Sequence, residues 1–136
     1  MRLLKIFLPV IITSLLLNAC SSQQTSVEKN ARHAASRVAK IHFDPNSRPL
    51  TADSIKVMKP VLQQFYDLGK KDHADGLTLT QARQRAENFK CPGVINNSNT
   101  TTILGKTYEA DEPAKQSQII LDSAVATYWD GYNGRP

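Results

Sequence analysis

Apolar positions recur at steps of three and four residues along most of this chain, and polar, Pro- and Gly-rich runs divide the pattern into four segments. Val27, Ala31, Ala34, Ala35, Val38 and Ile41 predict a first amphipathic helix with Ser26 as its N-cap, and Lys29, Arg32, Arg37 and Lys40 on the opposite face. Asp44-Pro45-Asn46-Ser47-Arg48-Pro49 is a loop that ends this helix at or before Phe43. Thr51 then caps a second helix, with Asp53 in its first turn, and Ile55, Met58, Leu62, Phe65 and Leu68 form its inner stripe. Pro60 lacks an N–H and crowds the preceding turn, which predicts a kink or break near Lys59. The polar run from Gly69 to Gly76 reads as a helix terminus with solvated charges, Gly76 taking the left-handed closing position.

Leu77-Thr78-Leu79-Thr80 opens a third helix, capped by Thr78 or Thr80, that turns Ala82, Ala86 and Phe89 inward and stops at Cys91-Pro92-Gly93. From Val94 to Asp111 the chain is rich in Asn, Thr and Ser; Ile103, Leu104 and Tyr108 are its candidate attachments to the core, and a polar connection of this length is expected to be functional or mobile. Asp111-Glu112-Pro113 starts a fourth helix, where Ile120, Leu121, Ala124, Val125, Tyr128 and Trp129 form the most apolar surface of the body, and Asp130-Gly131-Tyr132-Asn133-Gly134 ends it. The expectation is an all-α domain of about four short helices over residues 27–136. Phe65-Tyr66-Asp67-Leu68-Gly69 and Tyr128-Trp129-Asp130-Gly131 both set an aromatic pair before an acid and a glycine, an echo that similar helix endings explain without a repeat.

The amino-terminal stretch follows a different rule. Arg2 and Lys5 precede an apolar run from Ile6 to Leu17, and small Ala19 stands directly before Cys20. About 20 apolar residues are needed to span a bilayer, and this run is shorter, so residues 1–19 read as a signal peptide rather than a retained anchor. Leu17-Asn18-Ala19-Cys20 resembles the lipobox of bacterial lipoproteins, although Asn18 is unusual there. That resemblance implies cleavage before Cys20, a diacylglycerol on its sulfur and an acyl chain, palmitate or similar, on the new amino terminus. Each buried methylene adds about 0.8 kcal/mol, so two or three chains hold a protein firmly where one does not. Residues 20–26 then form the lipidated cysteine and a polar tether. Ser21 stands where an aspartate marks inner-membrane retention in enteric-type lipoproteins, which favours the outer membrane, facing the periplasm.

Removal of the leader leaves 117 of the 136 residues, enough for one modest core. The net charge of +5 is unevenly placed. Residues 27–40 carry Lys29, Arg32, Arg37 and Lys40 against Glu28, whereas from Ile41 onward 11 basic residues meet 11 acidic ones. A neutral body behind an export signal argues against nucleic acid. The basic face of the first helix is a solvated surface or, alternatively, rests on anionic head groups.

Candidate chemistry is sparse. His33, His42 and His73 fall in three separate segments, so no nucleophile and base are placed together and no catalytic residue is assigned. Asp72, His73 and Asp75 lack a second His or Cys at ligand spacing, and no metal or other cofactor is expected beyond the acyl groups on Cys20. With Cys20 acylated, Cys91 has no internal partner; it reads as a half-buried thiol in a turn, with a disulfide-linked dimer as the alternative. Tyr128, Trp129 and Tyr132 crowd the end of the chain. Core packing explains them, and a partner surface, where Trp and Tyr are enriched, is the competing reading.

Phe65-Tyr66, Gly69-Lys70-Lys71-Asp72, Gly76-Leu77-Thr78-Leu79-Thr80-Gln81-Ala82, Ala86, Phe89 and the ending Ala126-Thr127-Tyr128-Trp129-Asp130-Gly131-Tyr132-Asn133-Gly134-Arg135-Pro136 resemble small lipoproteins of the plasmid entry-exclusion family, named for the second exclusion protein of mobilisable colicin-type plasmids. The resemblance implies a non-enzymatic envelope protein that limits uptake of a related plasmid by binding a transfer component. The other class of function is a structural or inhibitory lipoprotein that binds another envelope protein, such as a periplasmic hydrolase, through Tyr128, Trp129 and Tyr132.

Overall fold

The computed structural model describes residues 24–41, 48–91, 100–103, 106–109 and 112–136. The expected signal peptide over residues 1–19, the lipidation candidate Cys20, and residues 42–47, 92–99, 104–105 and 110–111 lie outside them. The described residues form an all-α domain of four helices, α1 (Ser26–Ile41), α2 (Arg48–Ala74), α3 (Leu79–Asn88) and α4 (Pro113–Tyr132), with a small hairpin of β1 (Thr100–Ile103) and β2 (Lys106–Glu109) between the last two helices.

Helix α1 begins one residue earlier than its sequence suggests. The Thr25 hydroxyl accepts the Glu28 N–H at 3.2 Å and the Thr25 carbonyl accepts that of Lys29, so Thr25 is the cap and Ser26 is released for a tertiary role. Val27, Ala31, Ala34 and Ala35 are buried, a small-residue face that lets neighbouring helices come close. Helix α2 also starts early, at Arg48, because a proline in the first turn forfeits no helical bond. The expected break near Lys59 does not occur: α2 is one helix of 27 residues, about 40 Å long, with Pro60 inside it. Pro60 and Lys56, whose carbonyl the missing N–H would have served, are both exposed residues.

At the far end of α2, Gly76 has φ 76°. Its N–H donates to the His73 carbonyl at 3.0 Å, and the Leu77 N–H donates to that of Asp72 at 3.0 Å, the paired closing bonds of a Schellman motif. Thr78 then opens α3 with a capping box: its hydroxyl accepts the Gln81 N–H at 3.4 Å, and the Gln81 side chain accepts the Thr78 N–H at 2.8 Å. The hairpin pairs Thr100 with Glu109 and Ile103 with Lys106 in antiparallel register. From sequence alone no strand is expected in 94–111; Thr-Thr-Thr-Ile and Lys-Thr-Tyr-Glu are β-prone runs separated by two residues, one a glycine.

Helix α1 runs antiparallel to α4, with Ser26 bonded to Asp130 at one end and Arg37 to Asp122 at the other. Helix α2 packs on both. One core joins Val27, Ala31, Leu62 and Ala124; a second joins Ala82, Ala86, Phe89 and Tyr128, which is how α3 is held to the rest. Phe65 packs against both clusters. Helix α4 buries Ile119, Ser123 and Thr127 together with Ala124 and Tyr128 of the expected stripe, whereas Ile120, Leu121, Val125 and Trp129 of that stripe are only half-buried. None of the described helices is long and apolar enough to cross a membrane.

Candidate functional site

The carboxyl-terminal ends of α2 and α4 meet at two glycines. A Cβ on Gly69 would lie 2.1 Å from the Tyr128 carbonyl oxygen, and one on Gly131 would lie 2.0 Å from that of Tyr66. No side chain fits between the two backbones. The echo between Tyr66-Asp67-Leu68-Gly69 and Trp129-Asp130-Gly131 is therefore a crossing point, with each glycine seated against the other helix, rather than two similar endings; both glycines lie inside their helices.

One turn further along α2, Asp72 is 2% exposed. This overturns its reading as a solvated charge at a helix terminus. Its Oδ2 accepts the Tyr128 hydroxyl at 2.8 Å and the Arg85 Nε at 3.0 Å, tying α2 to α4 and α3 through one atom. A buried carboxylate requires such partners. Burial, and then the bond to Asp72, push the Tyr128 phenol well above its ordinary value, so the group stays neutral and acts as a donor rather than as an acid or base. His73, next in sequence, points elsewhere and meets the Tyr132 ring edge-on at 5.2 Å. Asp72 and His73 thus diverge, and among the described residues no three His, Cys, Asp or Glu side chains are grouped to hold a metal. Asp75 is bonded to Lys71, whose ammonium is held above its usual value by that bond.

Of the three aromatic residues assigned to a partner surface, Tyr128 has no exposed area. It packs edge-on against Phe89 at 5.3 Å and Trp129 at 5.5 Å, so it belongs to the core and no partner reaches it in the folded chain. Trp129 and Tyr132 are half-buried, edge-on to each other at 5.5 Å, and Tyr132 donates to the Leu77 carbonyl at 2.6 Å. Each keeps an outer face. Cys91, expected to be half-buried, is exposed with a free thiol.

Sequence periodicity missed a second polar cluster, because each member looks like an ordinary surface residue. Asp130 accepts the Ser26 hydroxyl at 2.5 Å and the Asn30 amide at 3.0 Å, and Asn30 also donates to the Thr127 hydroxyl at 3.0 Å. The chain beyond α4 closes over this cluster. Arg135 N–H donates to the Asp130 carbonyl at 2.9 Å, Tyr66 hydroxyl to the Arg135 carbonyl at 2.8 Å, and Ser26 N–H to a Pro136 backbone oxygen at 2.8 Å. Residues 133–136 thereby strap the start of α1 to the crossing of α2 and α4. An open depression of about 370 Å³ beside the strap is lined by Gln24, Lys29, Arg135 and Pro136.

No protein-family model, curated protein or solved structure matches this chain.

Proposed function

We propose that this protein is a membrane-anchored, non-enzymatic envelope lipoprotein of entry-exclusion type, facing the periplasm from the outer membrane, which limits uptake of related plasmids by binding a transfer component. The observation that carries this reading is the lipobox-like run Leu17-Asn18-Ala19-Cys20 in a chain that ends in the aromatic-glycine motif Tyr128-Trp129-Asp130-Gly131-Tyr132. Acylation would hold the domain near the bilayer and raise its effective concentration against an incoming component. Binding alone suffices for such an effect. The half-exposed Trp129 and Tyr132 are the contact residues we favour, with Tyr128 supporting them from beneath.

Those same two aromatics favour one second reading, a structural or inhibitory lipoprotein that engages another envelope protein. Plasmid transfer into recipients with and without the gene separates the two: exclusion requires a lower frequency where the gene is present, and equal frequencies overturn the exclusion reading. Palmitate labelling and membrane fractionation of wild type and Cys20→Ser test the anchor that both share.

A further inference from the structure

We propose that the end of the bundle built from Gln24, Lys29, Lys70, Arg135 and Pro136 is a face that rests on anionic phospholipid head groups. The inference rests on the reading of Cys20 as acylated, and deepens it by stating which way the domain is turned.

Three separate segments deliver cations to this end. Lys29 and Arg135 line the open depression beside the point where the chain enters α1. Lys70 reaches them through Tyr66: its ammonium lies 5.9 Å from the centre of the Tyr66 ring, whose hydroxyl is bonded to the Arg135 carbonyl. Two of the three neighbouring acids are paired with a cation, and the third, Asp67, keeps its charge while bonded to a neutral amide. Glu28 is paired with Arg32 at 3.1 Å, Asp67 accepts the Gln63 amide at 3.0 Å, and Asp130 is taken by Ser26, Asn30 and, at 3.4 Å, Arg135. Lys29 and Lys70 have no carboxylate within ion-pair distance among the described residues. Of the four basic residues on α1, Arg32 is held by Glu28 and Arg37 by Asp122 at 3.4 Å, while Lys29 and Lys40 have no carboxylate partner among the described residues. Lys40, Lys56, Lys59 and Arg83 likewise have no carboxylate within ion-pair distance among the described residues, so what singles out this end is the convergence of Lys29, Lys70 and Arg135 beside the entry to α1, not free charge alone.

Tether length selects the occupant. From Cys20 to Gln24 are four residue steps, which reach at most about 14 Å. That is the fully extended limit, and a tether at about half of it brings this end within the screening length of about 8 Å at physiological salt, so this end is the part of the domain that an acylated Cys20 keeps nearest the head groups. Each basic residue at an anionic surface changes the partition by about five-fold. Two free cations and the half-shared Arg135 are then enough to replace tumbling about the tether by one preferred orientation. Lys40 lies 11 residues beyond Lys29 on α1, about 16 Å along the helix, and Lys56 lies 14 residues before Lys70 on α2, about 21 Å along it.

The test is lysine footprinting of the full acylated protein in vesicles of phosphatidylcholine with and without phosphatidylglycerol, using a membrane-impermeant acylating reagent and reading each site by mass spectrometry. Lys29 and Lys70 are expected to react about five-fold more slowly when phosphatidylglycerol is present, while Lys40 and Lys56 keep their rates. Protection should vanish near 1 M salt, where the screening length falls to about 3 Å. The amino-terminal peptide from the same digest reports whether Cys20 carries its acyl chains. An acylated protein whose Lys29 and Lys70 react at the same rate in both vesicles overturns the orientation and leaves the anchor standing. An unacylated Cys20 overturns both.

Discussion

Asp72 shows how much a single residue's meaning depends on what folds against it. Its neighbours in sequence, Lys70, Lys71, His73 and Asp75, are all exposed, and only the arrival of Tyr128 from α4 and Arg85 from α3 encloses it. Replacing Tyr128 with Phe keeps the ring contacts and removes a donor to a charged acceptor, so a loss of about 1.5–3 kcal/mol is expected in denaturant unfolding. The same variant tests the raised phenol. An unfolded tyrosine releases its proton near pH 10, while burial and the Asp72 bond keep the folded one protonated. The contribution is therefore complete below about pH 10 and is lost as the pH rises above it. Stability curves of wild type and Tyr128→Phe should converge on the alkaline side of that point; a constant separation up to pH 11 would count against the assignment.

Among the helices, the crossing of α2 and α4 is the contact with least tolerance. Alanine is a better helix former than glycine by about 1 kcal/mol, and in an open helix Gly69→Ala or Gly131→Ala would stabilise. Here a Cβ would meet a backbone oxygen near 2 Å in either case, and backbone cannot rotate away as a side chain does. Each substitution is expected to destabilise by about 3 kcal/mol or more, visible as a lowered melting temperature by circular dichroism. Pro60 works in the opposite direction. It sits on the exposed side of an unbroken helix, so Pro60→Ala restores a hydrogen bond and should raise stability by at least about 1 kcal/mol, part of the roughly 3 that proline costs in a helix interior; a decrease would mean that the proline ring itself contributes to packing. Periodicity located all four helices and the cores of α2 and α3 to within a turn. It could not place the ends of α1 and α2, where Thr25 displaces Ser26 and Pro49 enters the first turn, because each boundary turned on whether a hydroxyl or an N–H was needed elsewhere.

At the level of the whole molecule, the strap over residues 133–136 joins both termini of the described domain at the end where the chain enters α1. Asp130→Ala removes the acceptor for Ser26, Asn30 and Arg135 together. Loss of about 2 kcal/mol is expected, accompanied by faster amide exchange at the start of α1, while α3, held through Asp72 and Phe89, keeps its protection. Trp129→Ala addresses function. Its ring packs on Tyr128 and Tyr132 but is only half-buried, so a stability loss smaller than the roughly 3–5 kcal/mol of a fully buried tryptophan is expected. If Trp129 is a contact, exclusion of transfer should fall in this variant while helicity at growth temperature stays at the wild-type level. Unchanged exclusion with intact helicity would remove Trp129 from the contact surface.

Local information determined a good deal on its own: the fold class, the number of helices, the inward positions Leu62, Ala82, Ala86 and Phe89, and the closing role of Gly76, since these depend on periodicity and on φ preferences that act within a few residues. The lipobox-like run is legible for the same reason, being a short contiguous pattern. Tertiary structure alone decided that Asp72 and Tyr128 belong to the core, that Gly69 and Gly131 face each other, and that Asp130 gathers the start of α1 under the strap. In each of these the partners lie 56 to 104 residues apart in the chain or meet through backbone atoms that carry no sequence signal, and a polar residue declares itself buried only when its partner is in place.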